Sequence, residues 1–148
     1  MNICISGSHG LIGTALVARL EAEQHNVIRL SRNFADTVNF NEIDAVVHLA
    51  GESIAEGRWN KEKKKRIERS RVEGTHKLSE LIAGAGEKPP VFISASAIGF
   101  YGDRSEEKLT ETCEGVEGFL PAVCRKWEGA VQPAVDAGDR VVLLRTGI

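Results

Sequence analysis

The stretch NICISGSHGLIG, residues 2–13, places three glycines directly behind an apolar run. Residues 2–6 are rich in apolar side chains and alternate little, which is typical of a buried parallel strand. After the glycines, residues 11–23 carry apolar side chains at helical spacing, namely Leu11, Ile12, Ala15, Leu16 and Leu20. The stretch therefore predicts a strand, a glycine-rich turn and a helix in immediate succession.

The same alternation of strands and helices continues along the chain. Further strands are predicted at residues 26–31, 44–50, 90–96 and 139–146, with a weakly indicated one at 37–40; helices are predicted at 59–86 and 119–135, and a loop at 99–118. This alternation favours an α/β fold, a doubly wound parallel sheet with helices on both faces and ligands beyond the carboxyl ends of the strands. The length of 148 residues suits one such domain, 1–148.

Charge and cysteine content narrow the class of protein. With 19 basic and 21 acidic side chains, the net charge of −2 does not favour nucleic acid or an anionic membrane as a partner. No apolar stretch approaches the roughly 20 residues that span a bilayer. The cysteines Cys4, Cys113 and Cys124 form no CxxC pair, so neither a metal site nor a disulfide framework is expected. A reducing, cytoplasmic setting is the simplest interpretation.

Gly7, Gly10 and Gly13 form a G-x-x-G-x-x-G pattern at the predicted turn. Gly7 would let the chain leave the strand in a tight turn, Gly10 would remove a Cβ where a pyrophosphate approaches, and Gly13 would let the helix pack close to the sheet. The backbone amides of Leu11 and Ile12 would favour an anion at the first helical turn. The alternative is a purely structural turn. The candidate phosphate-binding residues are Ser6, Gly7, Gly10, Leu11, Ile12 and Gly13.

The end of the second predicted strand indicates which dinucleotide would bind. An NAD-specific site would place an acidic residue there, whereas this chain has Ser31 and Arg32. The Arg32 guanidinium could hold a 2′-phosphate, and the Ser31 hydroxyl could add a hydrogen bond. A charged contact of this kind contributes about 1.5–3 kcal/mol, a preference of about tenfold to hundredfold. The pattern favours NADP over NAD; the alternative is that Arg32 is a solvated loop residue.

Several motifs occur together in one known family. GSHGLIG, SRN, DAVVHLAGESI, RW and SR near the long helix, SASAIGFYGD, KWE and LLRTG occur in this order. The chain resembles, over essentially its whole length, the atypical epimerase-like branch of the extended short-chain dehydrogenase/reductases. The resemblance implies a Rossmann domain that binds NADP(H) and a hydride transfer on a small carbonyl or hydroxyl substrate, such as a nucleotide sugar. It also allows a homodimer, and it implies that a C-terminal substrate-binding region is missing here.

The resemblance also assigns residues beyond the glycine turn. Leu49, Ala50 and Gly51 would line the adenosine side of the cofactor, followed by Glu52 of the LAGE signature. Arg71, in the long helix, would face the cofactor's phosphate or ribose region. The other basic residues of that helix are interpreted as a solvated face: Lys61, Lys63, Lys64 and Lys65.

The usual catalytic pair of this superfamily, Tyr-x-x-x-Lys on one helix, is absent. Tyr101 is followed four residues later by Ser105, and the aligned positions of the dyad hold Leu120 and Cys124. In that pair the lysine ammonium lowers the pKa of the tyrosine, so that the tyrosine can exchange a proton near neutral pH. The absence of the pair therefore weakens the prediction that this chain has the usual epimerase or dehydrogenase activity. A non-catalytic NADP-binding sensor is therefore the alternative function.

Two catalytic candidates remain near the expected nicotinamide position. Ser96 would donate a hydrogen bond to the substrate, or else cap backbone at the strand end. Tyr101 would act as an acid, or else pack and hydrogen-bond to backbone. His48, inside an apolar strand, is interpreted as a hydrogen-bonded core residue. Trp59 and Trp127 are interpreted as packing anchors, although Trp59 could also cover part of the cofactor.

Overall fold

The computed structural model describes residues 1–31 and 39–147. In chain order the elements are β1 (Asn2–Ser6), α1 (Leu11–Ala22), β2 (Asn26–Leu30), β3 (Ala45–His48), α2 (Lys61–Ala83), β4 (Phe92–Ala97), a 3₁₀ turn (Ile98–Phe100), α3 (Phe119–Gly129), α4 (Gln132–Asp136) and β5 (Val141–Thr146). Two of the four residues of the strand predicted at 37–40 lie outside the described residues, and the other two, Asn39 and Phe40, are in no strand. Within those residues, no helix is long and apolar enough to cross a bilayer.

The strands form one parallel sheet in the order β2-β1-β3-β4-β5. Ile3 of β1 lies opposite Val27 of β2 on one side and opposite Ala45 of β3 on the other. After β1 the chain adds β2 on one side of it and then adds β3 on the other side. The direction of strand addition therefore reverses at β1, which places the topological switch point between β1 and β3. This arrangement confirms the predicted doubly wound α/β sheet of Rossmann type.

Alternate residues of the central strands contribute side chains to two hydrophobic cores, one on each face of the sheet. Cys4 and Val46 point to the face covered by α2 and α4, where they pack with Leu78 and Ile82. The residues between them point to the face covered by α1, in a cluster of Ile3, Ile5, Val17, Ala45 and Val47. Both faces are thus covered by helices, as the alternation of elements predicted.

The buried face of α1 differs from the apolar residues noted in the sequence. Gly13 and Val17 are the buried positions, while Leu16 and Leu20 are partly buried against the sheet. Leu11 and Ile12 are solvent-exposed, at 92% and 55%. The apolar side chains at the start of the helix therefore do not belong to the core.

The helix predicted at residues 119–135 is two helices. α3 ends at Gly129 and α4 begins at Gln132. Pro133 has no N–H to continue the helical hydrogen-bond ladder and sits in the first turn of α4, where proline is tolerated. Ser79 of α2 contacts the chain at this break. Its hydroxyl donates to the Val131 carbonyl and accepts from the Ala134 amide, at 2.9 Å each.

A buried polar chain crosses the α2 side of the sheet. His48 on β3 hydrogen-bonds Ser6 of β1 through Nδ1 and lies 3.0 Å from the Thr75 hydroxyl through Nε2. Trp127 Nε1 donates to the same hydroxyl at 2.9 Å. Either neutral tautomer of His48 satisfies these bonds, because each hydroxyl can donate or accept and the Thr75 oxygen has two lone pairs. The interpretation of His48 as a core residue is confirmed.

Burial of His48 makes stability depend on pH. Desolvation lowers the pKa of His48 from 6.5 to about 4, so the folded protein keeps the ring neutral where the unfolded chain protonates it. Between these values the unfolded state binds more protons, and stability falls as the pH falls, by up to about 1.4 kcal/mol per pH unit. We expect urea unfolding at pH 7.0, 6.0 and 5.0 to show this loss.

The matched variants are His48→Gln and His76→Gln. The His76 side chain is 52% exposed on α2 beside Glu80, so its replacement controls for the loss of a surface imidazole. His48→Gln should lower stability at pH 7 and flatten the slope between pH 5 and 6.5. An unchanged slope in folded His48→Gln protein would show that another group is responsible.

Candidate functional site

The turn between β1 and α1 depends on two backbone contacts. Gly7 has a φ of +73°, in the left-handed region that the predicted tight turn requires. A Cβ built on Gly7 would lie 2.7 Å from both the Ala50 amide nitrogen and the Leu49 carbonyl carbon. The turn therefore lies directly against the end of β3, at the switch point of the sheet.

Gly13 packs against the turn itself. A Cβ at this position would lie 2.1 Å from the Gly7 carbonyl oxygen and 2.9 Å from Ser8 Cα. The sequence predicted close packing of the helix on the sheet; the close partner is instead the backbone of the loop. Gly10 closes the turn by donating from its amide to Gly7 O at 3.0 Å, and it caps α1 without a side-chain hydrogen bond.

The start of α1 has the properties of an anion site. Its first turn contains no acidic side chain, and Leu11 and Ile12 extend into solvent. Among the hydrogen bonds described, none uses the amides of these two residues, which are in the unpaired first turn of the helix. The positive end of the helix dipole and a cradle without Cβ atoms fit a pyrophosphate at this position.

The remaining residues predicted around the cradle have different environments. Ser6 is 1% exposed, and its hydroxyl points away from the cradle to His48. Its carbonyl accepts from the Leu49 amide at 3.1 Å, which extends the β1–β3 pairing into the site. Ser31 is exposed directly after β2. Arg32, the predicted ligand of a 2′-phosphate, lies outside the described residues.

Glu52 ties the loop after β3 to α2. Its carboxylate accepts from Lys63 Nζ at 2.9 Å and from Arg66 Nε at 3.3 Å, and its amide donates to the Ser70 hydroxyl. The hydrogen bond from Lys63, followed by that from Arg66, holds the pKa of Glu52 below its usual value. Lys63 was interpreted as part of a solvated face, and that was wrong: it is 5% exposed because it pairs with Glu52.

Arg71 lies at the end of β3 beside Gly51. Its Nη1 donates to the carbonyls of Glu52 and Ile67 at 3.1 and 3.2 Å, and its Cζ lies 5.1 Å from the Trp127 ring centroid. A Cβ on Gly51 would lie 3.2 Å from Cζ, so the guanidinium rests across the glycine. The structure thus places Arg71 at the carboxyl edge of the sheet.

The two catalytic candidates are joined by an ion pair that the sequence analysis missed. Ser96 donates to Glu128 Oε1 at 2.6 Å. Arg145 binds both oxygens of Glu128, at 2.8 and 2.9 Å, and donates to the Tyr101 hydroxyl at 2.8 Å. Burial alone would raise the pKa of Glu128, but the bonds from Arg145 and Ser96 together keep it below the usual value. We call Ser96, Glu128, Arg145 and Tyr101 the β4–β5 network.

A signal for this network was present in the sequence. Arg145 interrupts the apolar strand VVLLRT, and Glu128 lies in the KWE motif. Strand register places Arg145 opposite Ser96, and the guanidinium stacks 3.6 Å from the Phe100 ring centroid. Ser96 and Tyr101 are 2% and 6% exposed, so both hydroxyls lie beneath the surface of the site.

Of the two positions aligned with the missing dyad, Leu120 borders a cleft of about 440 Å³, whereas Cys124 is buried, at 4% exposure. Leu120 lines the cleft, and the Cys124 sulfur lies 3.8 Å from a Cβ built on Gly99. Trp59 packs edge-on against Phe119 with ring centroids 5.9 Å apart. The cleft is lined by Trp59, Lys64, Gly99, Asp103, Phe119 and Leu120, among others. It has room for a small substrate beside the edge of the sheet.

The contact at Gly13 predicts a large effect of one methyl group. Gly13→Ala would force the turn away from α1, with an expected loss of about 1–3 kcal/mol in stability. Gly74→Ala is the matched control, because no atom lies within 4 Å of its Cβ position inside α2, and it should stabilise by about 0.5–1 kcal/mol. Urea unfolding of both variants measures this. Equal stabilities would contradict the described contact.

Comparison with known proteins identifies the family. The NAD dependent epimerase/dehydratase family model matches residues 3–117. An epimerase family protein of Mycobacterium leprae is 38% identical over 161 residues, which cover 99% of this chain and 52% of that protein. The chain spans about half the length of the curated relatives it matches.

Solved structures agree with this assignment. The crystal structure of the human epimerase family protein SDR39U1 with NADPH is 30% identical, with a TM-score of 0.88 over 98% of this chain and 53% of that one. A nucleoside-diphosphate sugar epimerase from Corynebacterium glutamicum is 39% identical, with a TM-score of 0.80 over 100% of this chain and 34% of that one. The resemblance inferred from the motifs is confirmed, and the chain belongs to the NAD-dependent epimerase/dehydratase family.

Proposed function

We propose that this chain binds NADP(H) along the carboxyl edge of its sheet and takes part in hydride transfer on a small carbonyl or hydroxyl substrate, such as a nucleotide sugar. The observation that carries the proposal is the cradle at Gly7 and Gly13, where a Cβ would collide with backbone and the helix amides are open. The human relative solved with NADPH supports the same cofactor.

The order of strands gives the direction in which the dinucleotide would lie. The adenine ribose would sit at the end of β2, beside Ser31 and Arg32, and the pyrophosphate at the start of α1. Leu49, Ala50 and Gly51 follow β3 and were predicted to line the adenosine side of the cofactor; because β3 lies between β1 and β4, we propose that their contacts extend to the middle of the cofactor. The nicotinamide would then reach the end of β4, next to the 440 Å³ cleft.

The bound nicotinamide would supply hydride exchange at its C4 atom, while the chain would hold the substrate and move a proton. Tyr101 is the proposed acid, because Arg145 donates to its oxygen and leaves the phenolic hydrogen for another acceptor. Ser96 is proposed to act with it through the β4–β5 network, since its own hydroxyl is bound to Glu128. Trp59 and Phe119 would form an apolar wall for the substrate.

A second function is favoured by a specific observation. Leu120 and Cys124 stand where the superfamily carries its tyrosine and lysine, and neither side chain can exchange a proton as that pair does. The hydroxyls of Ser96 and Tyr101 are also engaged in hydrogen bonds within the protein. These features favour a non-catalytic module that binds NADP(H) and acts as a sensor, responding to whether the cofactor is bound without catalysing a reaction.

The cofactor assignment predicts a difference between NADPH and NADH. In fluorescence titrations the chain should saturate with NADPH and bind NADH about tenfold to hundredfold more weakly. Arg32→Ala should weaken NADPH by a similar factor and leave NADH nearly unchanged. Arg19→Ala, on an exposed arginine paired with Glu23, is the control and should change neither. Equal losses for both dinucleotides would contradict the 2′-phosphate assignment, and no saturation with NADPH would contradict the proposed function.

Hydride transfer can be separated from sensing with labelled cofactor. The chain is incubated with 4-deuterated NADPH and a panel of ketones and aldehydes that includes 4-keto UDP-sugars, and deuterium in the reduced products is measured by mass spectrometry. An enzyme should transfer the label, and Tyr101→Phe should slow transfer by at least about a hundredfold, with a smaller loss in Ser96→Ala. Binding of NADPH with no transfer would favour the sensor, and wild-type rates in both variants would exclude these two residues as catalytic.

A further inference from the structure

The cleft beside the end of β4 combines an apolar wall with two exposed carboxylates. Its lining includes Trp59, Phe119 and Leu120 on one hand, and Asp103 and Glu117 on the other. The wall comes from the loop before α2 and the start of α3, and the carboxylates come from the loop that precedes α3. This combination restricts the class of substrate that the cleft can accept.

The apolar wall is suited to a flat ring. The rings of Trp59 and Phe119 meet edge to face, with centroids 5.9 Å apart. Trp59 Nε1 donates to the Ile54 carbonyl at 2.9 Å, so the indole N–H is already bonded within its own loop. Trp59 is nevertheless 38% exposed, and Leu120 extends the apolar surface beside it. An aromatic group of a ligand can therefore pack on this wall.

The charges of the cleft are predominantly negative. Lys64 is the one basic residue among the described residues that line it, and its exposed ammonium lies 5.1 Å from the Phe119 ring centroid. Asp103 and Glu117 are ionised at neutral pH. Within residues 1–31 and 39–147 neither carboxylate forms an ion pair, so their charges are not neutralised by the chain. One ammonium therefore accompanies two carboxylates.

The arginine next to Asp103 does not change this balance. Arg104 binds both oxygens of Glu107, at 2.7 and 2.6 Å, and its Nη1 donates to the Glu114 carbonyl at 3.1 Å. Its charge is therefore already paired. Sites that hold phosphate groups usually place arginine or several other donors around them, and no arginine is among the described residues that line the cleft.

We propose that the cleft binds an uncharged carbonyl compound with an aromatic ring and discriminates against nucleotide sugars and other phosphorylated carbonyl compounds. The ring packs on Trp59 and Phe119, while Asp103 and Glu117 repel an anionic substituent. The inference rests on the proposed hydride transfer, and it narrows the substrate to one class among those that this reaction allows.

The test is a series of ketones that differ in charge. 4-(Hydroxymethyl)acetophenone is neutral, 4-acetylbenzoate carries one negative charge, and 4-acetylphenyl phosphate carries nearly two at neutral pH. NMR titration of the chain, with and without saturating NADP⁺, gives each Kd. Affinity should fall about fivefold or more with each added charge, and UDP-glucose should not displace the neutral ketone.

Three variants separate the contribution of charge from that of the wall. Glu117→Gln should strengthen binding of the phosphorylated ketone about fivefold and leave the neutral ketone unchanged. Glu106→Gln, on an exposed residue of the same loop outside the lining, is the matched control and should change neither. Trp59→Ala should weaken all three ketones by about tenfold. Circular dichroism monitors folding of each variant.

The outcomes separate the substrate class from the cofactor. The proposed class is overturned if no ketone binds, if the three bind equally, if UDP-glucose displaces the neutral ketone, or if Glu117→Gln and Glu106→Gln behave alike. NADPH titration decides the cofactor independently. A chain that binds NADPH but shows one of these results keeps the proposed function and loses this inference. A chain that shows the predicted order of ketones without binding NADPH keeps the selectivity of the cleft and loses the proposed function.

Discussion

Contact of backbone with backbone at the switch point is the constraint on which the rest of the structure depends. The Gly7 turn touches the chain after β3 on one side and Gly13 of α1 on the other, at distances that exclude any Cβ. Three elements therefore converge where the sheet changes direction, and their convergence opens the amides of α1 to the edge of the sheet. Every residue assigned to the cofactor is placed relative to this point.

Charged side chains complete the edge by joining elements that are distant in sequence. Glu52 binds Lys63 and Arg66 and so fixes the loop after β3 to the start of α2. The ion pair of Glu128 and Arg145 joins α3 to β5 in the same way. Ser96 is hydrogen-bonded to Glu128, and Tyr101 is hydrogen-bonded to Arg145. The proposed site thus has one end formed by backbone at the Gly7 turn and another end formed by paired charges, and the proposal assigns these ends to the two halves of a dinucleotide.

The sequence predicted the sheet well because its signals are local: apolar runs, glycines and helix periodicity act over a few residues. Ion pairs between different helices, strands and loops leave no such local signal, and the sequence analysis therefore missed them. Lys63 lies in a run of basic residues and is distinguished from its neighbours only by Glu52, 11 positions earlier. Glu128 and Arg145, 17 positions apart, meet where β5 pairs with β4. The division of residues 119–135 was missed because Pro133 can begin a helix as well as end one.

One hydroxyl in the interior has a wider consequence. Thr75 contacts both His48 of β3 and Trp127 of α3, and the same imidazole reaches Ser6 of β1. Replacing Ser6, His48 or Thr75 with an apolar residue removes a hydrogen-bond partner from a polar atom buried in the core. In related sequences these positions should accordingly be inherited as a set, and a lineage that abandons the imidazole should exchange its neighbours in the same evolutionary step.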